Sequence, residues 1–200
     1  NLRDNVTWHD GKKFTAEDVV FTFSYIKNHL WEWVNLQIVD RVEKNDNYRV
    51  KLYLNKPYAP FLSNIAGTLP MLPKHIWENN NNPEDFRDKK AVVGTGPYKL
   101  IDYNKAQGTY LYEAYDGYYL GRPEVDRIKF IRINAEITPI ALQRGIVNAA
   151  SIPPEILEKI KRKGFEIEEE PPTWAAKLII NHKKEPLSSK QFRKALAYAI

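Results

Sequence analysis

The sequence predicts an α/β chain of the mixed, α+β type, with helices layered on a mixed sheet. Three observations carry that expectation. The apolar residues Val19, Val20, Phe23 and Ile26 recur at helical spacing behind a capping signal at Thr15. Tyr48, Val50, Leu52 and Leu54 alternate strictly behind the turn residues Asn45-Asp46-Asn47. Beyond the bend Gly94-Thr95-Gly96-Pro97 the pattern changes to longer alternating runs, beginning Tyr98-Lys99-Leu100-Ile101.

The elements follow in order. Leu2 to Trp8 alternates weakly and reads as a strand, and Trp8-His9-Asp10-Gly11 reads as a turn in which Gly11 supplies the permissive backbone. His9 and Asp10 are adjacent, and adjacent side chains rarely converge on one substrate, so a turn held by local hydrogen bonds is expected rather than an acid/base pair. Thr15-Ala16-Glu17-Asp18 is a capping box with Asp in place of Glu, and the helix it opens should run to about Leu30. Trp31 and Trp33 stand at its end. A helix points residues two apart away from each other, so at least one indole is expected to face outward or into a cleft, where it can stack on a ligand.

Ile38–Lys44 and Tyr48–Leu54 form a predicted hairpin, stopped by Pro57 and Pro60. Short helices are expected over Pro60–Ala66, closed by Gly67, and from Pro73, with a polar loop at Asn79–Asn82. After the bend, Tyr98–Tyr103 should pair with Thr109–Tyr115, and Val125–Asn134 should add a third strand beyond the loop Asp116–Pro123. Thr138–Arg144 and Pro153–Lys163 read as helices, and Ile146–Ala150, Phe165–Glu170 and Ala175–Asn181 as strands. Trp174 lies between the last two, at an expected sheet edge. The final helix opens at Ser188 and carries Phe192, Ala195, Leu196, Ala199 and Ile200 on one face. It runs to the last residue without a cap, so the chain is expected to be a fragment lacking a partner domain.

The bend itself is expected to need glycine's backbone freedom at Gly94 and Gly96, with Pro97 fixing φ and Tyr98 anchoring the strand that follows. On that reading Gly96→Val destabilises the fold. A strained turn is expected rather than a phosphate cradle, because a proline and a strand follow the glycines and the Lys-Ser/Thr of a P-loop is missing.

Composition removes several function classes. There are no cysteines, hence no disulfides, thiolate metal sites or cysteine nucleophiles. His9, His29, His75 and His182 are dispersed without ligand spacing, and no metal or other cofactor is expected. The net charge of +5 is spread along the chain and lacks a nucleic-acid-binding module, although it suits an anionic membrane surface. No run approaches the ~20 apolar residues of a spanning helix, and the first residues do not read as a charged-then-apolar leader, so a signal segment is expected to be absent or removed. A hydrolase would need a nucleophile, a base and an orienting group, and no nucleophile elbow or nucleotide motif is present.

Four ordered motifs carry a resemblance that spans almost the whole chain. Trp8-His9-Asp10-Gly11-Lys12-Lys13-Phe14-Thr15-Ala16-Glu17-Asp18-Val19-Val20-Phe21 resembles the signature of the extracellular solute-binding proteins of family 5. Gly94-Thr95-Gly96-Pro97-Tyr98, the Tyr118-Tyr119…Gly121-Arg122-Pro123 loop and Phe192–Ile200 are similar to further motifs of that family. Its members are the substrate-binding subunits of dipeptide, oligopeptide and nickel ABC importers. One departure is Gly145-Ile146-Val147-Asn148, where the family often has Gly-Glu-Ile-Asp. The resemblance implies a periplasmic-binding-protein-like type II lobe: residues 1–93 its smaller subdomain, 94–182 its main sheet, and 183–200 the crossing into a second lobe. It implies an extracytoplasmic, non-enzymatic protein, periplasmic or anchored at the cell surface, that hands its ligand to an ABC permease at the membrane. Oligopeptides are the first choice of ligand and oligosaccharides the second. Nickel chelates come third, because Trp31 matches a tryptophan of nickel-binding relatives but no arginine lies between Phe61 and Lys74. Trp31, Trp33 and Trp174 are the expected ligand contacts.

Overall fold

The structure, a computed structural model, describes residues 1–29, 34–169 and 178–199. Trp31, Trp33 and Trp174 lie outside them. Backbone contacts divide the chain into two compact units, Asn1–Ile133 and Asn134–Ile200.

The first unit is built on helix α1, Ala16–Asn28. Its start is the expected box: the Thr15 side chain accepts from the Glu17 N–H, and the Asp18 carboxylate accepts from the Thr15 N–H at 2.9 Å. Asp18 is buried and its second oxygen accepts the Lys74 N–H at 3.0 Å, so one carboxylate caps α1 and fastens the start of α2, Lys74–Trp77. One turn on, buried Thr22 donates to the Asp18 carbonyl at 2.7 Å and accepts the Leu72 N–H at 2.9 Å. The apolar face of α1, Val19, Phe23 and Ile26, packs with Val34, Leu36, Val39, Ile65 and Leu69 into the core of this unit.

Strands β1, Val39–Asp46, and β2, Arg49–Leu54, form the hairpin, antiparallel with register shifts near both ends. Val42, Val50, Leu52 and Leu54 turn toward the core while Arg41 and Glu43 stay outside, as the alternation requires. Leu62–Ala66 makes a single π-helical turn with Ile65 buried. The second sheet is β3–β4–β5: Tyr98–Asn104, Thr109–Ala114 and Arg127–Ile131, all antiparallel. Tyr103, Tyr110 and Phe130 sit opposite one another across the three strands on one partly exposed face.

Leu2–Trp8 is not a strand; a single bridge between Thr7 and Lys13 remains of it. The two pair across the Trp8–Gly11 turn, and among the described residues no third segment continues the ladder.

In the second unit, α3 (Thr138–Gln143), α4 (Leu157–Lys161, behind a 3₁₀ turn at Pro154–Ile156) and α5 (Lys190–Ala199) are present. The strands expected at 146–150, 165–170 and 175–181 are not formed among the described residues. A strand exists only where a neighbour completes its ladder, and the described residues of this unit offer none. Ala141, Leu142 and Ile160 are buried, whereas no described residue of α5 is. None of the described helices is long and apolar enough to cross a membrane.

Candidate functional site

Three sequence motifs meet in the first unit. The turn Trp8–Gly11 closes on itself, the Trp8 N–H reaching the Lys12 carbonyl and the Gly11 N–H reaching the Trp8 carbonyl, each at 2.8 Å. Gly11 sits at φ +85°, a conformation side chains rarely adopt. Trp8 is 1% exposed and meets Phe14 edge-on at 5.6 Å.

His9 faces away from this turn and grips the bend. Its N–H donates to the Gly94 carbonyl at 2.9 Å, and Nδ1 accepts the Gly94 N–H at 3.2 Å. With Nδ1 an acceptor, the ring proton lies on Nε2, which donates to the Gly96 carbonyl at 3.0 Å. The turn is held by local hydrogen bonds, as expected, but His9 itself bonds beyond it to the bend. Burial pushes its pKa below the ordinary value and outweighs the opposing pull of the Gly96 carbonyl; Lys99 adds to the lowering, Asp10 opposes it.

Tyr115, one residue past β4, completes the junction. Its hydroxyl donates to the Trp8 carbonyl and bonds the Thr7 hydroxyl, both at 2.8 Å, and its N–H donates to the Pro97 carbonyl at 2.8 Å. Its ring lies edge-on to His9 at 5.1 Å. Tyr98 reaches the Val125 carbonyl at 3.0 Å, and Arg122 binds Asp116 and Asp126, tying the loop after β4 to the start of β5. The glycines of the bend do not play the expected part. Neither Gly94 nor Gly96 has a positive φ, and a Cβ on Gly96 would meet nothing within 4 Å. Pro97 and the bonds to His9 and Tyr115 shape the bend instead. No sequence signal pointed to Tyr115, which looked like one strand tyrosine among many.

Asp10 keeps a local bond from the Lys12 N–H at 3.2 Å, and it also meets His75 Nε2 at 2.6 Å, 65 residues away. Burial alone would raise the Asp10 pKa, but His75 and the Lys12 N–H together hold it below the usual carboxylate value. A cavity of about 250 Å³ lies beside this pair, lined by Lys12, Thr15, Lys74, His75 and Glu78 among others. Among the described residues no hydroxyl is hydrogen-bonded to His75. No group of three or more potential ligands able to hold a metal occurs among the described residues.

At the far end of α1, Tyr25 stacks on His29 with centroids 4.2 Å apart and meets Trp77 edge-on at 5.8 Å; Trp77 meets Phe86 at 5.0 Å. The Tyr25 hydroxyl donates to the Asn80 carbonyl at 2.7 Å, and burial raises its pKa. This aromatic base anchors the chain just before Trp31 and Trp33. Val34, the next described residue, is buried in the core.

Comparison with known proteins accounts for the motifs. The family of bacterial extracellular solute-binding proteins, family 5, matches residues 1–200. The dipeptide-binding protein of Escherichia coli is 29% identical over 225 residues, covering 100% of this chain and 42% of its own length. The structure of NikZ from Campylobacter jejuni in complex with Ni(L-His) is 31% identical with a TM-score of 0.81, over 100% of this chain and 41% of that one. A periplasmic oligopeptide-binding protein of Thermotoga maritima with mannohexaose bound is 28% identical, TM-score 0.76, over 100% of this chain and 39% of its own. The chain thus spans about two fifths of the length of these relatives. With the Trp8–Phe21, Gly94–Tyr98 and Tyr118–Pro123 motifs gathered in one unit and the match running from first residue to last, the chain belongs to the bacterial extracellular solute-binding proteins of family 5.

Proposed function

We propose that this chain forms most of the first lobe of the substrate-binding component of an ABC importer, which captures oligopeptides outside the cell and delivers them to a membrane permease. The observation that carries this reading is the family match over all 200 residues, with a dipeptide-binding relative aligned across the entire chain. The protein is not an enzyme: it holds its ligand between two lobes and releases it unchanged, on the extracytoplasmic side and peripheral to the membrane. Trp31, Trp33 and Trp174 supply flat faces to the ligand. A lone lobe leaves the ligand half solvated, so tight binding needs the full-length protein.

A nickel chelate is the second reading, favoured by the TM-score of 0.81 to the Ni(L-His) complex. The lack of an arginine between Phe61 and Lys74 argues against it. Incubating the full-length protein with short peptides tests the proposal. Reversible uptake of intact peptide is the expected result; peptide cleavage overturns it.

A further inference from the structure

We propose that His9 is a pH-operated latch, closed when its ring is neutral and opened by protonation, which sets how firmly the Gly94–Pro97 bend is held to the Trp8–Gly11 turn. The geometry admits one protonation state. Nδ1 faces the Gly94 N–H and Nε2 faces the Gly96 carbonyl, so the ring bridges a donor and an acceptor of the same bend. A second ring proton has to sit on Nδ1, where it opposes the Gly94 N–H. The Nδ1 bond is then lost and a donor-to-donor contact takes its place.

The surroundings do little to welcome the added charge. On β3, Lys99 repels it, and the nearest carboxylate to Lys99, Glu113 on β4, is 3.8 Å from that ammonium. On the turn, Asp10 attracts the charge, but its oxygens are engaged by His75 and the Lys12 N–H. After β4, Tyr115 presents its ring edge-on and directs its hydroxyl to Thr7 and Trp8. Among the described residues the half-buried ring thus has no free anion to pair with, in keeping with its lowered pKa.

The sign follows from linkage. The unfolded chain takes up a proton near the ordinary value of 6.5, before the latched ring does. The latch contributes its full stability above that value and loses it progressively as pH falls toward the lower folded value. An open latch frees the Gly94 N–H, while the His9 backbone N–H still holds the Gly94 carbonyl and the Tyr115 bond to Pro97 still holds the far side of the bend. The consequence is local loosening, not unfolding.

Amide exchange over residues 92–98 of the full-length protein tests this between pH about 7.5 and 5, after correction for intrinsic exchange. In the wild type, exchange should rise at least about tenfold toward low pH. In His9→Gln it should be independent of pH, whatever its level, whereas Asp10→Asn should keep the rise. A flat wild-type profile, or the same rise in His9→Gln, overturns the proposal. Nitrogen shifts of His9 in the wild type give a second reading that needs no variant. A neutral ring protonated on Nε2 at pH about 7 is expected, and the opposite tautomer or an already charged ring contradicts the latch.

Discussion

Two glycines of the same junction should respond in opposite ways to one added methyl group. A Cβ on Gly117 would lie 2.7 Å from both the Cζ and the hydroxyl oxygen of Tyr115, far inside van der Waals contact. Tyr115 cannot easily yield, because its hydroxyl is bonded to Thr7 and Trp8 and its ring packs against His9. Gly117→Ala should therefore cost about 1–3 kcal/mol, the range for overpacking a fixed neighbour. At Gly96 a Cβ meets nothing within 4 Å and φ is not positive, so Gly96→Ala should be neutral or stabilise by up to ~1 kcal/mol through the unfolded chain. Equilibrium urea unfolding of the full-length protein measures both. On a Tyr115→Ala background most of the Gly117→Ala cost should vanish, since the atoms it strikes are gone. An equal cost for Gly96→Ala and Gly117→Ala, or a Gly117 penalty that survives without the tyrosine ring, would contradict a clash with Tyr115 as its source.

Other outcomes follow from the same geometry. Thr22→Val keeps the shape of a fully buried side chain but strands the Leu72 N–H, and should cost about 1–3 kcal/mol by the same unfolding assay; an unchanged midpoint contradicts it. Asp10 has a lowered pKa, so its contribution is complete above its ordinary value of 3.8 and disappears as pH falls through the lower folded value. Asp10→Asn should accordingly flatten the acid limb of the stability profile, and an unaltered limb excludes the His75 contact as its source. Ligand should shift the tryptophan emission of the full-length protein, and the shift should be lost when Trp31, Trp33 and Trp174 are together changed to Phe. A shift that persists removes these residues from the ligand surface.

Much of the first unit was legible because its signals are local. The Thr15–Asp18 capping box, the spacing of Val19, Phe23 and Ile26, and the alternation from Tyr48 to Leu54 each report a periodicity or a turn within a few residues. The junction was not legible, because its bonds join residues far apart: His9 to Gly94 and Gly96, Tyr115 to Trp8, Asp10 to His75. The glycines of the bend invited a backbone explanation, yet the constraint falls on Gly117, where a tyrosine ring occupies the space. In the second unit, apolar runs such as Ile146–Ala150 looked like strands, but a run without a pairing neighbour forms none. The motifs that named the family were readable in full, since they are contiguous.

On the proposed function, the full-length protein captures a peptide and returns it unaltered. Native mass spectrometry of that protein mixed with short peptides measures this directly. One intact peptide per protein, released at unchanged mass on denaturation, is the result expected. Cleaved peptide in the mixture, or a protein that takes up no peptide but retains a metal chelate or an oligosaccharide, would contradict it.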